Sequence, residues 1–370
     1  MTRTCLAWCA VAAFTTGCGF NVAGTGTTDG AMEPDAPLDA PLDAPPDAPP
    51  DAPPPTIQCF GTSGLALVCL EALPTSEITI DAVASIDTGI SSMCAALRVG
   101  SSDVCVIAAT AITVSAPVTV TGSRPLVLLS LGALTISETL NVASHRGSPN
   151  GAGGDGAPCN PGVDPAGSGG GQAGTFGSLG GSGGNSDGAT DRGTRGGVIA
   201  PVTLRGGCLG ADGAGSPSSQ GHGGGAVLLI AETITMSGAI NVSGSPGGGA
   251  PAGKHGGGGA GSGGMIVFDA PTITISGPVY ANGGGGGGGS SGGSGGSTGL
   301  EPPVVGGATG GSRGGSGGAG GTGSLGGAAG DSGASGTNNN DGGGGGGGGA
   351  GVILQFRHAG ALTMTSPPVP

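Results

Sequence analysis

Residues 226–244 read AVLLIAETITMSGAINVSG and residues 265–283 read MIVFDAPTITISGPVYANG. Seven of the 19 aligned positions are identical, among them Thr233 with Thr272, Ile234 with Ile273 and Gly238 with Gly277. Two earlier stretches, Val104 to Gly122 and Leu126 to Ser144, carry the same pattern 22 residues apart. Alignment gives four apolar columns: Ile112, Leu134, Ile234, Ile273; Val114, Ile136, Met236, Ile275; Val118, Leu140, Ile240, Val279; and Val120, Val142, Val242, Ala281. Between the first two columns run Thr113, Thr135, Thr235 and Thr274, and after them Ser115, Ser137, Ser237 and Ser276. Alternation of period two marks strands with one buried face. A 22-residue period holding up to three short strands, as at 227–230, 233–236 and 240–242, fits one coil of a repeat architecture. The fold class expected is all-β, a single-stranded parallel β-helix (solenoid), with poorer copies around Ile78–Ile86 and Val352–Met364. The alternative is a β-sandwich, in which these segments would pair antiparallel.

Outward from the repeats the chain is dominated by glycine. It has 370 residues with 92 glycines and 28 prolines, and only 11 of the glycines precede His145. Uninterrupted runs at 283–289 and 342–349 exclude collagen, which needs glycine at every third position throughout. The glycine-rich insertions at 145–225, 245–264 and 284–350 all leave the repeat at the same alignment position, so they are expected to share one side. Their interiors have no side chains to bury and nothing to offset the ordering entropy of polyglycine, so mobility is expected, with ordered glycine-rich packing as the alternative.

Formal charge is −13, and the cations are scattered singly, which argues against a nucleic-acid partner. Aromatic residues make up 2% of the chain, so stacking platforms for bases or sugars are scarce. Arg3 followed by the apolar stretch Cys5–Phe14 reads as a signal peptide, 1–17, too short to span a bilayer. Residues 18–55 contain an Asp-Ala-Pro-x repeat with Asp35, Asp39, Asp43, Asp47 and Asp51 four residues apart. Proline and like-charge repulsion make this an extended stalk, leaving 56–370 as the β domain. With Cys5 and Cys9 lost in the signal, six cysteines remain after Cys18: Cys59, Cys69, Cys94, Cys105, Cys159 and Cys208. In an exported chain an even set favours disulfides, and nearest-neighbour closure pairs them in that order, although fifteen pairings exist in principle. No Cys-x-x-Cys argues for zinc, and the four histidines, His145, His222, His255 and His358, read as surface loop residues with no metal site.

Thr15-Thr16-Gly17-Cys18 resembles a bacterial lipobox, which implies an acyl group on Cys18; Thr15 departs from the usual aliphatic residue. The repeat columns resemble those of right-handed β-helix proteins. The chain as a whole, with Cys18, the Asp-Ala-Pro tether and insertions such as Gly-His-Gly-Gly-Gly at 221–225, resembles uncharacterised glycine-rich bacterial surface lipoproteins. That group has no established activity; the role expected of this chain is non-enzymatic, structural or adhesive, at the outer membrane, with a membrane partner through the acyl anchor, an extracellular glycan or matrix contact, and no cofactor. The competing reading is a secreted polysaccharide-active β-helix enzyme. Glu232 and Asp269, two alignment positions apart on adjacent repeats, would then form the carboxylate pair of glycoside hydrolysis.

Overall fold

The computed structural model describes residues 57–370, apart from 63, 100–101, 216–217, 304–305 and 339–340. These belong to the second of two units, which divide after Pro54. The segments read as signal peptide (1–17) and stalk (18–55), with Cys18, lie outside the described residues.

The described chain is all-β, with three sheets built almost wholly from parallel pairs. One holds, in order, Thr272–Ile275, Thr233–Met236, Ala133–Ile136, Ile112–Val114 and Ile78–Ile80. A second holds Thr365–Ser366, Val279–Tyr280, Ile240–Asn241, Leu140–Asn141, Val118–Thr121 and Ala84–Asp87. The third holds Val352–Phe356, Met265–Asp269, Ala226–Ile230, Leu126–Ser130, Ser102–Ala109 and Ala95–Val99, of which only the last two strands pair antiparallel. Pairing is in the register of the sequence columns: Leu134 lies opposite Ile112 and Ile234, and Ile234 opposite Ile273. The antiparallel pairing required by a sandwich is not what these segments adopt. The poorer copies join at each end, Ile78 opposite Ile112 and Val352 opposite Met265.

Alternation explains the first two sheets, where apolar residues turn inward and threonines outward. The third sheet differs because its strands are buried on both faces: Leu126–Ser130, Ala226–Ile230 and Met265–Asp269 are buried throughout. Continuous apolar runs are what a doubly covered parallel sheet requires. One face, with Leu128, Leu229, Ile266 and Phe268, joins the main core. The other packs Val127, Leu228 and Val267 beneath Phe176, Leu204 and the hairpin of Gln58–Phe60 with Val68–Leu70.

The glycine runs are ordered, contrary to the expectation of mobility. From Gly342 to Gly349 every N–H and every C=O is hydrogen-bonded, with N···O distances of 2.8–3.0 Å for the donated bonds. The partners recur every three residues. Gly342, Gly345 and Gly348 donate to Ser290, Gly287 and Gly284; Gly343, Gly346 and Gly349 donate to Ser168, Gly171 and Gly174; Gly344 and Gly347 donate to Ala334 and Asp331. Its carbonyls accept in the same rhythm from residues in 318–324, 257–263 and 181–184. A period of three without internal hydrogen bonds is that of an extended helix with three residues per turn, and here one such run is bonded to six others. Runs 256–264 and 283–289 bond to each other and to 342–349 and are surrounded in the same way.

This arrangement sets the glycine density. A run enclosed on all sides has no room for a Cβ: at each of Gly342 to Gly349 a Cβ would fall well under 3.0 Å from a neighbouring carbonyl oxygen. The run 180–185, GGSGGN, frees one position in three, and Ser182 and Asn185 are half-buried. The outermost run, 330–336, needs glycine only at the inward positions 330, 333 and 336, while Asp331, Ser332, Ala334 and Ser335 are exposed. Ordering a backbone costs about 1–2 kcal/mol per residue and a hydrogen bond returns only about 0.5–1.5 net. What stabilises the array is therefore cooperative: close backbone packing adds dispersion, and any single buried N–H left unpaired would cost more than its bond returns. Gly345→Ala should destabilise the protein by about 1–3 kcal/mol or more through overpacking, whereas Ser332→Ala should be near neutral; thermal unfolding of the two variants measures the difference.

Candidate functional site

Three disulfides join Cys59 to Cys69, Cys94 to Cys105 and Cys159 to Cys208. The first links directly opposed residues of the hairpin that covers the third sheet. The third closes 49 residues of the first insertion. Beside it Arg205, 5% exposed, lies 4.9 Å over the Phe176 ring, and its guanidinium donates to the Gly156 and Pro158 carbonyls. Segment 156–159 is thereby fixed against the lobe by a bond and a buried cation.

Glu232 and Asp269 do come together, but through a third residue. Asp269 is fully buried and pairs with Arg357 Nε, and its other carboxylate oxygen accepts the Thr62 N–H from the covering hairpin. Glu232 is exposed, 3.7 Å from Arg357. Arg357 also donates to the carbonyls of Ala231 and Asp269. A cleft beside the hairpin is lined by Glu232 and Arg357 but not by Asp269. One carboxylate is thus sealed in an ion pair, so the two do not face a common space in which a glycosidic bond could sit between them.

The histidines depart more from the sequence reading. His145 Nδ1 lies 2.6 Å from Glu301 Oε2, and its Nε2 lies 2.8 Å from the Asn141 amide nitrogen. His222 Nδ1 lies 2.7 Å from Asp155 Oδ2, a carboxylate that also accepts from Asn150 and the Gly223 N–H. Between them Arg146 donates to the Ser219 hydroxyl and reaches the Ser219 and Pro246 carbonyls. Residues of all three insertions therefore meet where they leave the sheets. The bond to Glu301 raises the His145 pKa above its ordinary value and lowers that of Glu301; the bond to Asp155 raises His222. His222 Nε2 makes no hydrogen bond among the described residues, and His222 faces a small cleft with Arg146, Ser219 and Ser245. The cluster clamps the insertions together and leaves one oriented imidazole able to exchange a proton. No sequence signal announced it, since the partners are 156 and 67 residues apart.

In segment 185–191, Asp191 uses its carboxylate on Ser186 and on the Ser168 N–H; burial pushes its pKa up, but these bonds outweigh it and hold it low. Among the described residues no group of three or more His, Cys, Asp or Glu could hold a metal ion. No family model, curated protein or solved structure matches this chain.

Removing one partner of a buried ion pair strands the other charge, so Arg357→Leu should destabilise by about 3–5 kcal/mol, while Glu232→Gln, at an exposed position, should change stability by less than about 0.5. Both are read by chemical denaturation. For His145 and Glu301, the histidine's raised pKa gives stability that is complete below its unfolded value of 6.5 and is lost as pH rises through the folded one. The lowered Glu301 pKa gives stability present above 4.5 and lost as pH falls through its folded value. His145→Gln should therefore lower stability most between these limits, by about 0.2–1 kcal/mol for so exposed a pair, and the gap should narrow at pH 9; melting temperature against pH is the measurement.

Proposed function

We propose that this chain is an exported lipoprotein, acylated at Cys18 and held at the outer membrane. The Asp/Pro stalk would carry residues 56–370 outward as a non-enzymatic structural or adhesive element of the cell surface. On this reading the three sheets, each receiving one strand from each repeat, are the sides of a parallel β-helix, and the glycine insertions form a rigid lobe on one of its corners. The observation that carries the proposal is the cysteine chemistry. All six cysteines after Cys18 are joined as disulfides, a state that persists outside the reducing cytosol. The in-register apolar columns and the shared exit of the insertions support the solenoid.

The enzyme reading, with Glu232 and Asp269 as the carboxylate pair, is less favoured, because Asp269 is buried against Arg357 with no lining position in the adjacent cleft. An adhesive element needs a stiff surface more than a reactive one, and a backbone array whose central run, 342–349, is bonded at every N–H and C=O is stiff. Metabolic labelling with a radiolabelled fatty acid, followed by membrane fractionation, tests the proposal. Label should enter the native chain and vanish in Cys18→Ser, which should shift to the soluble fraction; unlabelled native protein found wholly in the medium would remove the anchor.

A further inference from the structure

The polyglycine array has a vacant position. In the run 208–214, Gly210 and Gly213 donate to Gly221 and Ser218, and Ala211 and Ala214 donate to Gln172 and Gly169. The third direction begins with Gly206, which donates to Gly153, but the next members, Leu209 and Asp212, donate to nothing among the described residues. The run 169–175 shows the same gap. Gly170 and Ala173 donate to Gly184 and Gly181, and Gly171 and Gly174 to Gly257 and Ala260, whereas the N–H groups of Gln172 and Thr175 have no acceptor among the described residues. All four residues line one groove of about 510 Å³, lined also by the segment that follows Cys159. That size lies within the usual range for ligand sites, about 300–1,000 Å³.

From this geometry we infer that the groove binds an extended, three-residue-per-turn peptide, rich in proline or glycine and carrying basic side chains. Two rows of N–H groups three residues apart match the carbonyl spacing of such a peptide, as the neighbouring runs already do inside the array. Proline suits the guest because the four free N–H groups ask for acceptors, which a proline backbone supplies without adding a donor of its own. Asp164 and Asp212 are exposed at the groove and no Lys, Arg or His lines it, so the field favours a cationic guest. Gln172, 5% exposed, keeps Oε1 without a partner while its amide donates to Asp164 at 3.1 Å, leaving a buried acceptor beside the groove. The inference names a partner class for the adhesive reading, but binding in the groove does not require the anchor, so failure of one does not entail failure of the other.

The test uses the full-length protein in detergent and three fluorescent nine-residue peptides: a Pro-Pro-Lys repeat, an Ala/Lys peptide of equal charge, and an Asp-Ala-Pro repeat. The Pro-Pro-Lys peptide should bind saturably, at least tenfold tighter than either other peptide. Leu209→Pro removes one donor from a run that repeats every three residues, the period of proline's own extended helix, and should weaken binding at least tenfold at an unchanged melting temperature. Asp164→Asn combined with Asp212→Asn, both exposed, gives a second variant that should weaken binding and flatten its salt dependence. Absence of saturable binding, equal affinity for the Ala/Lys peptide, or affinity untouched by both variants would overturn the inference. So would self-association in sedimentation that Leu209→Pro abolishes, since a second copy would then fill the groove.

Discussion

A buried peptide group must be hydrogen-bonded, and in most of the last 226 residues there is little else to bury. That constraint organises this protein. Where side chains are aliphatic, the requirement is met by parallel strands; where they are absent, it is met by runs whose N–H groups donate in three directions, repeating every three residues, and whose carbonyls accept from three more. The second solution works only if neighbours approach closely enough that no Cβ fits between them. Glycine is therefore retained for space more than for flexibility.

The two parts of the domain support each other. Parallel strands need long connections, and here the connections are the lobe itself, leaving after Leu140–Asn141, Ile240–Asn241 and Val279–Tyr280 and returning into Ala226–Ile230, Met265–Asp269 and Val352–Phe356. Because departures are adjacent in one sheet and returns adjacent in another, the runs start and finish already side by side. The loop-closure entropy of aligning them is thus met by the sheets. In return Phe176 and Leu204, from the first insertion, cover the outer face of the third sheet. Arg357 seals the far end of that face by neutralising Asp269.

The repeat was legible in the sequence because burial imposes like with like: Ile112, Leu134, Ile234 and Ile273 could be placed in one column from periodicity alone, and they are paired in that order. The glycine lobe was misread because an argument from side-chain burial assigns polyglycine nothing to gain. The relevant signal was in the runs themselves, with glycine at 330, 333 and 336 where one face is packed and at all of 342–349 where every face is. Carboxylate partners of His145 and His222 could not be found by spacing, since only the folded lobe brings Glu301 and Asp155 to them. Glu232 and Asp269 were rightly placed near each other, but Arg357, 88 residues beyond Asp269, decides what the pair can do.

Amide hydrogen exchange of Gly342 to Gly349 tests the central claim most directly, since it reads whether polyglycine at the centre of the lobe is paired. The account predicts protection as strong as that of Met265–Asp269, lost only with global unfolding. Exchange of these eight amides at the rate of an unstructured peptide, while the strands remain protected, would contradict it.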